Sequence, residues 1–197
     1  MGKRNDTKEQ VVEIAAAMLR EGGYAALSLD SIAQRLGIRT PSLYYHFPQG
    51  KEGLLLAVAV SCAHTDGELI AGLMLEISEP VAALRAVARY FSSIAGRHPY
   101  GAINASRRSL SVESQTVLQS EFASRVEDPL CRLIQRGIDT KVFRDCQPLF
   151  VVRAFILLML GIDDLILDEG ERASLPDRLV DLFVQGLLAR GTDPTSA

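Results

Sequence analysis

The densest polar chemistry in this 197-residue chain is the run Arg39-Thr40-Pro41-Ser42-Leu43-Tyr44-Tyr45-His46, with Lys51 close behind it. A guanidinium, hydroxyls, phenols, an imidazole and an ammonium are donors suited to phosphate oxygens and base edges. Thr40, Pro41 and Ser42 are small enough to let a backbone come close to such edges, while Leu43 and Phe47, four apart, give the same segment an apolar face. Bond-making chemistry has no comparable pattern. There is no phosphate-cradling glycine loop, no GxSxG and no HExxH, and the three histidines are scattered, so the chain reads as a non-enzyme. Cys62, Cys131 and Cys146 are odd in number and far apart, which excludes a disulfide framework and a CxxC metal pair and points to a reducing cytoplasm. His64 and Glu68 share a helical face while Asp66 points away, leaving two metal ligands at best. No metal or cofactor is implied.

Composition agrees with a folded chain: 48% hydrophobic and 23% charged. The formal charge of −3 is uneven, with seven Lys/Arg against five Asp/Glu over residues 1–51 and an acidic remainder. A mildly basic head on an acidic body permits a nucleic-acid-binding head. The longest apolar stretch noted, Leu149–Ile162, is too short to cross a bilayer, which takes about 20 residues, and the amino end has no apolar signal core. The expectation is a soluble cytoplasmic protein with no membrane partner.

The elements that position these residues are helices. Thr7-Lys8-Glu9-Gln10 fits a capping box, the stripe Val11, Ile14, Ala15, Met18, Leu19 follows, and Gly22-Gly23 ends the first helix. Ser28 caps a second helix, 29–36, that stops at Gly37, and Thr40 caps a third, to His46. A long helix starts at Lys51, and further helices are expected from Pro80, around Leu118–Ile138 with a kink at Pro129, over 148–168, and over 176–190 with Ser174 as cap and Gly191 as terminator. No segment alternates with period 2. The fold class is all-α: an N-terminal three-helix helix-turn-helix head, residues 1–50, and a helical ligand-binding and dimerisation body, residues 51–197, about nine helices in total.

Gly23-Tyr24, Ser28, Ile32-Ala33 and the run Leu36-Gly37-Ile38-Arg39-Thr40-Pro41-Ser42-Leu43-Tyr44-Tyr45-His46-Phe47-Pro48-Gln49-Gly50-Lys51, on to Leu54-Leu55, resemble the DNA-binding region of TetR-family transcriptional regulators. The resemblance covers roughly residues 8–56. It implies that Leu43–Phe47 lies in the recognition helix and that the Phe47-Pro48 to Lys51 segment leads into the helix linking two domains. Arg39 departs from the small cap common at that position and adds a phosphate or guanine contact. The DNA-facing set is Ser28, Arg39, Thr40, Pro41, Ser42, Tyr44, Tyr45, His46 and Lys51, with Tyr45 expected to be the half-buried member of the tyrosine pair.

In the body, the all-round apolar stretch 149–162 must be covered on both sides, and the final helix is its natural neighbour. Phe155, Met159, Ile162, Leu179, Phe183 and Leu187 are expected at a two-fold four-helix dimer interface, as the resemblance also implies. Arg153 within that stretch suggests an ion pair, within the chain or across a subunit boundary, or else capture of an acidic ligand. An effector pocket is expected among His64, Phe91, Phe122, Phe155 and Met159, although core packing accounts for these side chains equally well. The function expected is a homodimeric repressor, released from a palindromic double-stranded operator by an unidentified small-molecule effector. A same-fold activator or protein-responsive regulator, and a helical carrier or enzyme with a vestigial head, are the alternatives.

Overall fold

A computed structural model describes residues 2–94, 98–161 and 168–188. Ten α-helices occur among them: α1 Gly2–Ala26, α2 Leu29–Leu36, α3 Thr40–His46, α4 Lys51–Glu76, α5 Pro80–Ile94, α6 Tyr100–Ser106, α7 Val112–Phe122, α8 Asp128–Asp139, α9 Pro148–Leu160 and α10 Glu169–Leu187. One isolated antiparallel bridge, Phe143 to Leu188, is the only extended pairing among the described residues. The all-α expectation holds.

The chain packs as two compact units, and the division does not fall at residue 50. Residues 1–65 and 96–122 form the first unit, residues 66–95 and 123–197 the second. The reason is apolar burial. Ile103 of α6, Leu110 just before α7 and Leu118 of α7 join one core with Val11, Ala15 and Leu19 of α1, Ile32 of α2, Leu43 of α3 and Leu54, Leu55 and Val58 of α4. A head of α1, α2 and α3 alone has little surface to bury, so the added helices enlarge its core. Glu52 strengthens the same union by accepting a hydrogen bond from the Ser111 N–H at 2.9 Å. Hydrogen bonding to the Ser111 hydroxyl, then to the Ser114 hydroxyl and the Ser111 N–H, holds the Glu52 carboxyl below its usual range.

The second unit is centred on Leu84, Val87, Leu130, Ile134, Phe143, Val152 and Phe155, all buried. α5 and α10 are clasped by charge: Arg89 donates to both carboxylate oxygens of Asp177 at 3.1 Å, and Arg85 bonds Asp181. The two arginines, like the two aspartates, stand four residues apart, so each pair shares a helix face.

Several helix ends differ from the sequence expectations. Thr7 is inside α1, which starts at Gly2, so it is not the cap. The Gly22-Gly23 stop is a kink: Gly23 has φ 64° and ψ −162°, a conformation open to glycine, and helical bonding resumes to Ala26. The break near Pro129 is a π-helical stretch at Ala123–Glu127, leaving Pro129 in the first turn of α8, where its missing N–H costs nothing. α10 begins well before Ser174. Asp168 caps it, accepting from the Glu171 N–H at 2.7 Å while Glu171 accepts from the Asp168 N–H at 3.2 Å. This reciprocal box outweighs Pro176, which α10 carries inside it. Gly191 lies outside the described residues. α4 also alters the membrane argument: its 26 residues, with mean hydropathy 1.4 over the best window, are long and apolar enough to span a bilayer, and half of that window is buried in the protein.

Candidate nucleic-acid interface

The geometry of the head starts at Ser28. Its hydroxyl accepts from the Ser31 N–H at 3.2 Å, satisfying a free donor at the start of α2, and Asp30 sits in the first turn. Gly37 ends the helix with φ 64° and ψ 27°; Gly37 N–H bonds Gln34 and Ile38 N–H bonds the Ala33 carbonyl at 3.0 Å. That pair of bonds is a Schellman close, which needs a left-handed residue at Gly37. Ile32 and Leu29 are buried, so α2 braces the unit.

α3 follows after two residues. Its cap is Arg39, in an extended conformation without a side-chain bond, so Thr40 is the first helical residue and not the cap. Leu43 and Phe47 are 1% and 4% exposed and hold α3 down. Every other residue from Arg39 to His46 is exposed, except the partly exposed Thr40. Tyr45 is 78% exposed and Tyr44 50%, which reverses the expected order: Tyr44 is the half-covered one. Its Cε1 would lie 3.9 Å from a Cβ on Gly50, so the ring covers the turn before α4. Tyr45 meets the His46 ring edge-on, with centroids 5.4 Å apart.

Lys51 opens α4 and is exposed, but its Nζ donates to the Ala25 carbonyl at 3.1 Å. It therefore fastens α4 to the end of α1, a role its position at a helix start did not reveal. One bond leaves further ammonium hydrogens for an anion. Arg35, exposed in the last turn of α2, is a cation absent from the expected set. Its signal was present: it occupies a polar position between the inward-facing Ile32 and Leu36. The exposed surface from Arg35 to Lys51 thus presents cations, hydroxyls and phenols on a segment anchored from beneath by leucine and phenylalanine. Such an arrangement fits phosphate contacts flanking base-edge contacts in a groove.

The other predicted sites are placed differently. His64 bonds the Glu121 carboxylate at 3.1 Å, and with Phe122 it belongs to the first unit. Phe91, Phe155 and Met159 are buried in the second. Phe155, Met159 and Leu187, expected at a dimer interface, are 1%, 4% and 5% exposed, so they fill their own unit and present nothing to a partner. Leu179 and Phe183 are partly exposed, the latter tilted against Phe155 with centroids 5.5 Å apart; Ile162 lies outside the described residues. The exposed apolar side chains are instead Phe150 and Leu157 at 71%, Leu158 at 41% and Leu182 at 69%. Of these, Phe150, Leu158 and Leu182 line an open groove of about 530 Å³ between α9 and α10, floored in part by Gly186. Arg153 makes the expected ion pair, and makes it within its own chain: Nε and Nη2 donate to the two carboxylate oxygens of Glu127 at 2.8 and 3.3 Å, so the pair does not cross a boundary.

One further group is electrostatically unusual. Asp66 is fully buried and accepts from the Tyr90 hydroxyl at 2.6 Å. Burial pushes its carboxyl up to about 6, against the opposing pull of the Tyr90 bond.

Residues 11–58 match the family described as bacterial regulatory proteins, tetR family. An uncharacterized HTH-type transcriptional regulator of Bacillus subtilis, YxaF, is 33% identical over 85 residues, 43% of this chain and 44% of that protein. The matched stretch is thus less than half the length of such curated relatives. Among solved structures, PfmR of Thermus thermophilus, a TetR family transcriptional regulator, is 28% identical with a TM-score of 0.67, covering 92% of this chain and all of that one. AibR, solved with isovaleryl coenzyme A and operator DNA, has a TM-score of 0.71 at 21% identity over 89% of this chain and 97% of that one, a likeness of fold.

Proposed function

Since the chain belongs to the TetR family of bacterial regulatory proteins, we propose that it is a DNA-binding transcriptional regulator whose α3 enters the major groove of an operator. The observation that carries this reading is the division of α3 into two faces. Leu43 and Phe47 are buried, while Arg39, Ser42, Tyr44, Tyr45 and His46 are exposed on a helix closed in front by a left-handed glycine turn. In this reading Arg39, Lys51 and Arg35 supply phosphate contacts, and Thr40, Pro41 and Ser42 keep the backbone near the bases. Residues 1–50, with Lys51 at the start of α4, are the DNA-binding part, and the rest of residues 51–197 takes up effector and partner.

The regulator works as a two-fold homodimer in the cytoplasm, joined through the exposed faces of α9 and α10. Two copies of α3 then meet half-sites one helical turn, about 34–36 Å, or a multiple apart, so the operator is palindromic. A small-molecule effector releases it. A ligand that prefers the unbound state by about 1–3 kcal/mol lowers operator affinity roughly 5- to 150-fold. AibR, crystallised with both an acyl coenzyme A and its operator, supports joint occupancy of these two kinds of ligand on this fold.

Selection of binding sites from random duplex DNA with the full chain tests the reading. Enrichment of a palindrome is expected, with repression of a reporter that carries it. A selection that enriches no sequence at all would overturn it.

A further inference from the structure

The last turns of α4 and the outward side of α8 border an open groove of about 400 Å³ within the second unit. Ala71, Met74 and Leu75 of α4 and Leu133 of α8 make an apolar wall, and Arg132 and Arg136 line it beside them. Leu75 is 90% exposed, an apolar side chain with nothing over it. The two arginines stand four residues apart on one face of α8. Arg136 uses Nη2 to hold the Ile77 carbonyl at 3.2 Å, but its Nε–H is buried without a hydrogen-bond partner among the described residues. Neither guanidinium has a carboxylate partner among those residues.

We propose that this groove binds an amphiphile with one anionic head, carboxylate or phosphate, and an apolar tail. The head is taken by Arg132 and Arg136, whose planar guanidinium forks suit paired acceptor oxygens. The tail lies along Ala71, Met74, Leu75 and Leu133 and covers Leu75. A neutral apolar compound fills the same space but leaves the two guanidiniums without a counter-charge, and a cation is repelled, so the charge pattern sets the ligand class. The volume is that of a small-molecule site and not of a structural void. An occupant presses on the end of α4, whose other end follows α3. That consequence rests on the effector-responsive reading above, whereas binding itself does not.

Calorimetry on the free full-length protein, without DNA, separates the two. The probes are decanoate and decyl phosphate below their micellar concentrations, with decan-1-ol and decyltrimethylammonium as neutral and cationic controls. One anion per chain is expected to bind at least tenfold more tightly than decanol, with no binding of the cation; preference for either anion supports the site and names its head group. Arg132→Gln should weaken anion binding about tenfold and leave decanol unchanged. Arg136→Lys, which keeps the charge and loses the planar fork, should also weaken it. Ala71→Trp, at an exposed position, should fill the groove and abolish uptake with the circular dichroism unchanged. Anions binding no better than decanol, or surviving Ala71→Trp undiminished, overturn the proposal. Self-association that Ala71→Trp abolishes, without anion uptake, gives the groove to a second copy and overturns it equally.

Discussion

Tyr44 and Lys51 both reach solvent beside α3, yet they are built into the protein to different depths. The Tyr44 ring only lies over the Gly50 turn, while Lys51 holds a carbonyl at the end of α1. Tyr44→Ala should therefore leave the urea midpoint nearly unchanged and reduce operator affinity by about tenfold in a fluorescence anisotropy titration, the range of a single good contact. Lys51→Ala should do two things: cost about 0.5–1.5 kcal/mol of stability, and reduce the salt slope of DNA binding by about 1. Identical stability and an identical slope would show that Lys51 does neither. Asp66 is the residue whose charge opposes folding. Its folded carboxyl titrates at about 6 and an unfolded aspartate near 3.9, so the native state binds this proton more tightly. Its contribution is best below pH 4, worsens as the pH climbs from about 4 to 6, and is level above, by then a penalty of roughly 2–3 kcal/mol. In Asp66→Asn the Tyr90 bond keeps an acceptor and the charge is gone. The difference in unfolding free energy between variant and wild type should thus grow in the variant's favour across that window. A constant difference from pH 3 to pH 8 would refute it.

At the scale of elements, a helical glycine marks a close approach in one place and open space in another. A Cβ on Gly137 of α8 would stand 2.1 Å from the ring of Phe143, itself 1% exposed and bonded back through its N–H to the Gly137 carbonyl at 2.9 Å. Gly137→Ala has no room and should destabilise the fold by about 1–3 kcal/mol or more through overpacking. Gly72 of α4 meets nothing within 4 Å, so Gly72→Ala should gain about 0.5–1 kcal/mol from helix propensity alone. Denaturant melts of the two variants should move in opposite directions, and a common direction would contradict the packing. These elements also show what was legible in the chain. The Ser28 cap, the Gly37 stop and the Leu43/Phe47 face could be read in advance, because each rests on residues within a few positions of one another. The box Asp168…Glu171 was as local, but Pro176 is the louder signal and drew the helix start to the wrong place. What stayed illegible was pairing across the chain. Arg153 finds Glu127, Lys51 finds Ala25, and Phe155 turns inward, since periodicity marks α9 as apolar all round but does not say which side its own unit covers.

For the molecule as a whole, the consequence of that last point is that the proposed contact between copies moves to the exposed faces of α9 and α10. Phe150 and Leu157 are seven residues apart, two turns of α9, and so stand on one face, and Leu182 of α10 lines a groove together with Phe150. Three large apolar side chains each about 70% exposed form the kind of patch that marks an interaction site. A two-fold contact places each of them twice, so one substitution per chain changes two positions in the dimer. Leu157→Glu puts a carboxylate into each half of that interface and, at an exposed position of the single chain, leaves its core intact. Light scattering should then show the variant as a monomer at micromolar concentrations where the wild type is a dimer, with unchanged helical circular dichroism. Phe155→Glu should unfold the second unit instead, because Phe155 is buried within it. Operator affinity should fall with dimerisation in Leu157→Glu even though α3 is untouched, since a monomer engages one half-site and loses the gain from linked binding, on the order of 10²-fold or more. A Leu157→Glu protein that stays dimeric would move the interface elsewhere. One that is monomeric yet binds the palindrome as tightly as wild type would break the link between the two-fold axis and the DNA.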